Sequence, residues 1–165
     1  MFHHAPENYR CPICLGIQGI ESEETLILKT DFIYRDETVS ALISSFFLEH
    51  NPGHILVVPN AHYENIFDVP NEVGAQIFAV AKKMTAALKK AYECEGITLV
   101  QNNEPAGDQH ALHYHLHVFP RYQNDQFFEH KTHKYLALPE ERKMYGEKLL
   151  LDLGFIVKNQ ISKVE

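Results

Sequence analysis

The sequence predicts an α+β domain with a mostly antiparallel sheet, one long helix and a C-terminal helix. Three observations carry this expectation. Short strand-like runs come first, one long amphipathic stretch follows Pro70, and strand-like runs return after Gly96. The connections between them are short turns, which suit antiparallel neighbours better than parallel crossovers.

The elements follow in order. Thr25 to Lys29 and Asp31 to Arg35 read as weak strands, and Thr38 to Ser44 as a better one, closed by Ser44 and Ser45. Asn51-Pro52-Gly53 is a turn signal, and His54 to Val58 is then a short buried strand stopped by Pro59. The helix starts near Asn71 as N-cap, with Glu72 in its first turn. Val73, Ile77, Val80, Met84, Leu88 and Ala91 recur at helical spacing, while Lys82, Lys83, Lys89 and Lys90 fall on its solvated faces. Gly96 suits a left-handed position just past its end. Ile97 to Gln101 is a strand, Asn102 to Gln109 a polar loop, and His113 to Phe119 a strand ended by Pro120. Pro139 to Leu153 closes the chain as a helix, with Pro139 in its first turn and Gly154 at its stop.

Composition narrows the function classes. The 165 residues fit one domain, and 45% apolar with 22% charged residues is a globular balance. A net charge of −7 argues against a nucleic-acid binder with a broad basic surface. No apolar run reaches the roughly 18 residues of a membrane span, and no charged-then-apolar leader opens the chain. The three cysteines read as reduced thiols, so a cytoplasmic location is expected. Cys11 and Cys14 form a C-x-x-C, which can be half a zinc site, a redox pair or a chance pairing. A redox pair normally follows a strand, and the polar residues before Cys11 carry no strand pattern. Cys94 reads as a small apolar residue at a helix end.

The chain holds 11 histidines, and three of them are placed. His113, His115 and His117 alternate with Tyr114, Leu116 and Val118, so a strand puts the imidazoles on one face at roughly 6.5 to 7 Å spacing. A solvated polar face or a bare metal site would share this pattern.

The segment HYHLHVF from His113 to Phe119 resembles the signature of the histidine triad (HIT) family, His-x-His-x-His followed by two apolar residues. NPGHILVVPNAHYENIFDVP, from Asn51 to Pro70, is similar to the family's glycine-histidine strand and the turn before its long helix. NNEPAGDQ resembles its phosphate-binding loop, and Pro120-Arg121 its usual continuation. The resemblance covers about residues 11–122, and implies one HIT-like domain over 1–165 with a C-terminal extension over 123–165.

The resemblance implies a hydrolase attacking the α-phosphate of a nucleoside-phosphate conjugate, such as a dinucleoside polyphosphate or a nucleotide phosphoramidate. His115 is then the nucleophile, through a nucleotidyl-imidazole intermediate, and His117 donates to a phosphate oxygen or the leaving group. Asn102, Gln109 and His110 stand where substrate contacts are expected, with loop amides from about Gly107 to His110 as further donors. The zinc-containing members imply a structural Cys2His2 site of Cys11, Cys14, His62 and His113. A homodimer is implied as well. Two other readings share the motif: a nucleotidyl transferase to a phosphate or sugar-phosphate acceptor, and a non-catalytic zinc-bearing nucleotide-binding module.

The chain also departs from the family pattern. Phe46 stands where many members carry the acidic residue that holds the ribose hydroxyls, and Phe46 or Phe47 can stack on a base. Asp108 stands where many carry a second glycine, and His110 where many carry serine or threonine. The Asp108 carboxylate is expected to point outward or to be neutralised by His110 or Arg121. Phe127 and Phe128, in a segment that matches no general family motif, are expected to cover the pocket, to meet a second subunit or to pack as a tail.

Overall fold

A computed structural model describes residues 2–130 and 132–154. In chain order it contains α1 (Pro12–Ile17), β1 (Phe32–Arg35), β2 (Val39–Ile43), β3 (Phe46–Leu48), β4 (Ile55–Pro59) and α2 (Asn71–Ala91). There follow β5 (Gly96–Gln101), β6 (Leu116–Arg121), α3 (Phe127–His130), β7 (Lys134–Leu136) and α4 (Pro139–Asp152). The main sheet runs β1-β2-β4-β6-β5 with every neighbouring pair antiparallel, and β3 and β7 form a separate antiparallel pair. This is the α+β architecture expected, with the long helix and the closing helix both present.

The helical spacing read from the sequence is the buried stripe of α2. Ile77, Val80, Met84 and Leu88 lie in one core with Val57, Leu116 and Val118, and the four lysines are exposed. The Asn51-Pro52-Gly53 turn needs its glycine: φ is +75°, and a Cβ there would come within 2.5 Å of the Tyr145 ring.

Several local expectations are corrected. Thr25 to Lys29 is not a strand, because side chains take its backbone donors. Thr25 Oγ1 accepts the Ile27 amide at 3.2 Å and Asp31 Oδ2 accepts the Leu28 amide at 2.7 Å, leaving a 3-10 turn over Lys29–Asp31. Pro70, not Asn71, is the N-cap of α2, and its carbonyl accepts the Gly74 amide at 2.9 Å. The left-handed residue after α2 is Glu93 (φ 54°), while Gly96 already lies in β5. The triad strand starts at Leu116, because the His113 and Tyr114 amides turn aside to the carbonyls of Ala111 and Tyr63. Alternation nevertheless survives, with Tyr114, Leu116 and Val118 in the core.

Two buried polar ties hold the C-terminal extension on this frame. Arg142 Nη1 of α4 donates to Asp31 Oδ2 at 2.6 Å, to the Leu26 carbonyl at 2.7 Å and to Ser45 Oγ at 3.0 Å. Asp125 accepts Arg121 Nε at 2.7 Å and Nη2 at 2.8 Å, Asn51 Nδ2 at 2.7 Å, and the amides of Tyr122 and Phe127. Arg121 is thus committed to Asp125, and Asp108 escapes its charge problem by standing exposed in the left-handed region at φ 66°. Phe127 is buried against Leu48 and Phe119 as a packed tail, whereas Phe128 is 73% exposed.

The Arg121 hydrogen bonds, with those from Tyr122, Asn51 and Phe127, hold the Asp125 carboxyl well below the usual carboxylate range against the opposing effect of burial. A depressed carboxylate contributes stability above its unfolded value near 4, and that contribution is lost as pH falls below it. Asp125→Asn should therefore cost about 2 kcal/mol at pH 7. The gap to the wild type should narrow progressively below about pH 4. Urea titrations at pH 7 and pH 3 measure this, and an equal gap at both values would contradict the assignment.

Candidate functional site

The donor set expected for a metal comes together. Cys11 and Cys14 flank the start of α1, and the Cys14 amide donates to Cys11 Sγ at 3.3 Å, which curls the segment into a knuckle. His113 Nδ1 lies 3.4 Å from both sulfurs, and His62 Nδ1 lies 3.4 Å from Cys14 Sγ. All four ligand atoms fall within 4.8 Å of one another. Tetrahedral zinc with ordinary Zn–S and Zn–N bonds places sulfur and nitrogen roughly 3.5 Å apart, so the spacing fits. His113 Nε2–H donates to the Pro59 carbonyl at 3.0 Å, which leaves the Nδ1 lone pair facing the thiols. Burial pushes His113 down to about 4, which keeps it neutral as a ligand must be. Burial and the neighbouring Cys11 push the Cys14 thiol up to about 12, so two close thiolates need a cation between them.

His115 lies next to this cluster and is 7% exposed. Its Nδ1 lies 2.7 Å from the His113 carbonyl, which only an Nδ1–H can donate to, so Nε2 carries the lone pair. Burial lowers its pKa and keeps the ring neutral. His117 follows, with its ring centre 4.9 Å from that of His115, and is stacked on Phe119 at 5.5 Å. Burial, then the nearby His115, His54, Lys134 and His110, push His117 well below its ordinary value.

His54, read from the sequence only as the first residue of a buried strand, joins the site. It is buried, it stacks on Phe119 at 4.2 Å, and its Nε2 faces His117 Nδ1 at 3.3 Å. Burial and His115 push it down to about 3, so it stays neutral. With Nε2–H donating, its unpartnered Nδ1 is a lone pair, and His117 must then present Nε2–H outward. A period-two signal was available: Leu56 pairs with His117, and His54 shares the face of Leu56.

The polar loop behaves differently from expectation. Both amide hydrogens of Gln109 are used inside the protein, on the carbonyls of Glu64 and Ala111, and its oxygen accepts the Glu104 amide at 2.7 Å. The amides of Gly107, Asp108 and Gln109 likewise close on loop carbonyls of Glu104 and Pro105. Gln109 therefore braces the loop and has no hydrogen left for a phosphate oxygen. Asn102 is half-buried with a long 3.4 Å bond to the Asp108 carbonyl, and His110 is exposed.

Comparison with known proteins agrees with this geometry. The model of the HIT domain matches residues 26–124. The chain is 32% identical over 141 residues to "Protein hit" of Bacillus subtilis, covering 84% of this chain and 89% of that one. It is 30% identical over 115 residues to the adenylylsulfatase HINT3 of Arabidopsis thaliana, covering 70% of this chain and 54% of that one. A zinc-bound histidine triad protein from Mycobacterium smegmatis superposes with a TM-score of 0.69 at 26% identity, over 88% of this chain and 94% of that chain. The family match over more than half of the chain, a span that includes His113, His115 and His117, establishes that the protein belongs to the HIT domain family.

Proposed function

We propose that the protein is a nucleotide hydrolase that cleaves a nucleoside-phosphate conjugate, a dinucleoside polyphosphate or a nucleotide phosphoramidate, through a covalent nucleotidyl-His115 intermediate. The observation that carries this reading is the 2.7 Å bond from His115 Nδ1–H to the His113 carbonyl. It aims a neutral, unshared Nε2 lone pair out of the site without any activating base. In the first step Nε2 bonds to the α-phosphorus as the bond to the leaving group breaks, and the electron pair departs with that group. The positive charge that develops on the ring is met by the same carbonyl. Water then bonds to phosphorus, the N–P bond opens, and its electron pair returns to Nε2 while the water proton passes to solvent.

His117 supports both steps with its outward Nε2–H, held in that tautomer by His54 at 3.3 Å. A sulfate or phosphate leaving group needs only this hydrogen bond. An amine leaving group needs a proton, and a bound anion favours the protonated imidazole that can supply one. Asn102 Nδ2 and His110 remain as polar side chains for phosphate oxygens. The naming of a relative as an adenylylsulfatase supports nucleotidyl chemistry of this kind.

The Cys2His2 cluster belongs to the same reading as a structural zinc site held by Cys11, Cys14, His62 and His113. Zinc bound there supplies a cross-link between the N-terminal knuckle and the triad strand. The reading extends to a two-fold dimer, supported by β5 being an edge strand with Leu99 exposed and by Phe78 standing exposed on α2.

Three outcomes are expected. His115→Ala should lower turnover of diadenosine triphosphate by about 10⁴-fold or more, and mass spectrometry of the quenched wild type should find the nucleotidyl adduct on that histidine. Normal turnover in the variant would remove the mechanism. Elemental analysis should find about one zinc per chain, reduced in Cys14→Ser, and chelation should lower the melting temperature. Metal-free protein with unchanged stability would count against the site. Sedimentation should give twice the 19.0 kDa chain mass, a 19.0 kDa species counting against the dimer.

A further inference from the structure

The C-terminal extension lays Lys134 on β3, beside the layer that backs His117. β7 pairs with β3 so that Lys134 lies opposite Leu48, and Leu136 opposite Phe46. Leu48 packs in one cluster with Phe119 and Phe127, and Phe119 is the ring stacked on His117 with an interplanar angle of 13°. Lys134 therefore sits one strand across from the layer that backs His117. Its Nζ stands 5.4 Å from the centre of the Phe46 ring, which is 38% exposed. Among the described residues, no carboxylate lies within ion-pair distance of that ammonium.

His115, His54, Lys134 and His110 all disfavour a charged His117, and Lys134 is the one lysine among them. A phosphodiester carries about one negative charge, which His115 and His117 face directly. Lys134 approaches from the side of Phe46, and its ammonium is a compact point charge on a flexible stem that suits an anion rather than a hydroxyl pair.

We propose that Lys134 is a substrate-specificity residue that holds a second anionic group of the substrate, beyond the phosphate that faces His115. The inference rests on the hydrolase reading given above and narrows its substrate class to doubly anionic conjugates. The second anion has two possible sources with the same chemistry: a sulfate or phosphate in the leaving group, or a phosphate on the ribose.

The test compares wild type, Lys134→Ala and Lys134→Arg on three adenosine substrates. Adenosine 5′-phosphoramidate carries no second anion, adenosine 5′-phosphosulfate carries one in the leaving group, and 3′-phosphoadenosine 5′-phosphoramidate carries one on the ribose. Lys134→Ala should raise KM about 10- to 100-fold for one or both anion-bearing substrates, the responding substrate naming the source. Its effect on the plain phosphoramidate should stay within about 3-fold, and Lys134→Arg should restore most of the loss. A KM change equal for all three substrates, or none for any, overturns the inference while leaving the hydrolase reading intact. A wild type that turns over none of the three overturns this inference, and the hydrolase reading with it when diadenosine triphosphate is not cleaved either. Lys134 is exposed, so an unchanged melting temperature in Lys134→Ala confirms that the comparison is between folded proteins.

Discussion

His113 donates its Nε2–H to the Pro59 carbonyl, turns Nδ1 toward Cys11 and Cys14, and offers its own carbonyl to the Nδ1–H of His115. One fully buried residue therefore joins β4, the N-terminal knuckle and His115. Removing its ring would free the knuckle and leave a buried polar hole. Moving its backbone would release the tautomer of His115. The bend at this point follows from the same constraint, because the amides of His113 and Tyr114 leave the ladder for Ala111 and Tyr63. Regular strand geometry begins only at Leu116, once those donors are satisfied.

The second organising effect is desolvation. His54, His113, His115 and His117 all sit where burial disfavours the charged ring, and each also feels at least one other histidine. Neutral imidazoles packed this way direct lone pairs and N–H groups by hydrogen bonding, so tautomers and not charges define the site. A protein of net charge −7 can thus offer N–H donors to an anion without a positively charged site. On the proposed reading, a bound anionic substrate favours protonated histidine, which links substrate charge to proton supply.

The extension after Tyr122 takes part in the same arrangement. Asp125 ties it to Asn51 and Arg121, and Arg142 ties α4 to Asp31 and Ser45. Between those two anchors β7 is laid against β3, with Lys134 opposite Leu48. The extension is thus held to the sheet by two ion pairs, and β7 lies where the proposed specificity residue stands.

Periodicity alone was enough for the amphipathic face of α2, the alternation of Tyr114, Leu116 and Val118 against the three histidines, and the Asn51-Pro52-Gly53 turn. These depend on neighbours within one helical turn or one strand repeat, and such information is written consecutively in the chain. The Cys11, Cys14, His62 and His113 grouping was reached only through likeness to other sequences, since nothing local relates residue 14 to residue 113. Three features were decided by tertiary structure. Gln109 spends its hydrogens on Glu64 and Ala111, His54 meets His117 across β4 and β6, and the β3–β7 pair brings Lys134 beside Phe46. Each depends on which distant partner satisfies a polar group or covers an exposed edge. That choice is made by the packed fold as a whole and leaves no periodic trace in the residues that make it.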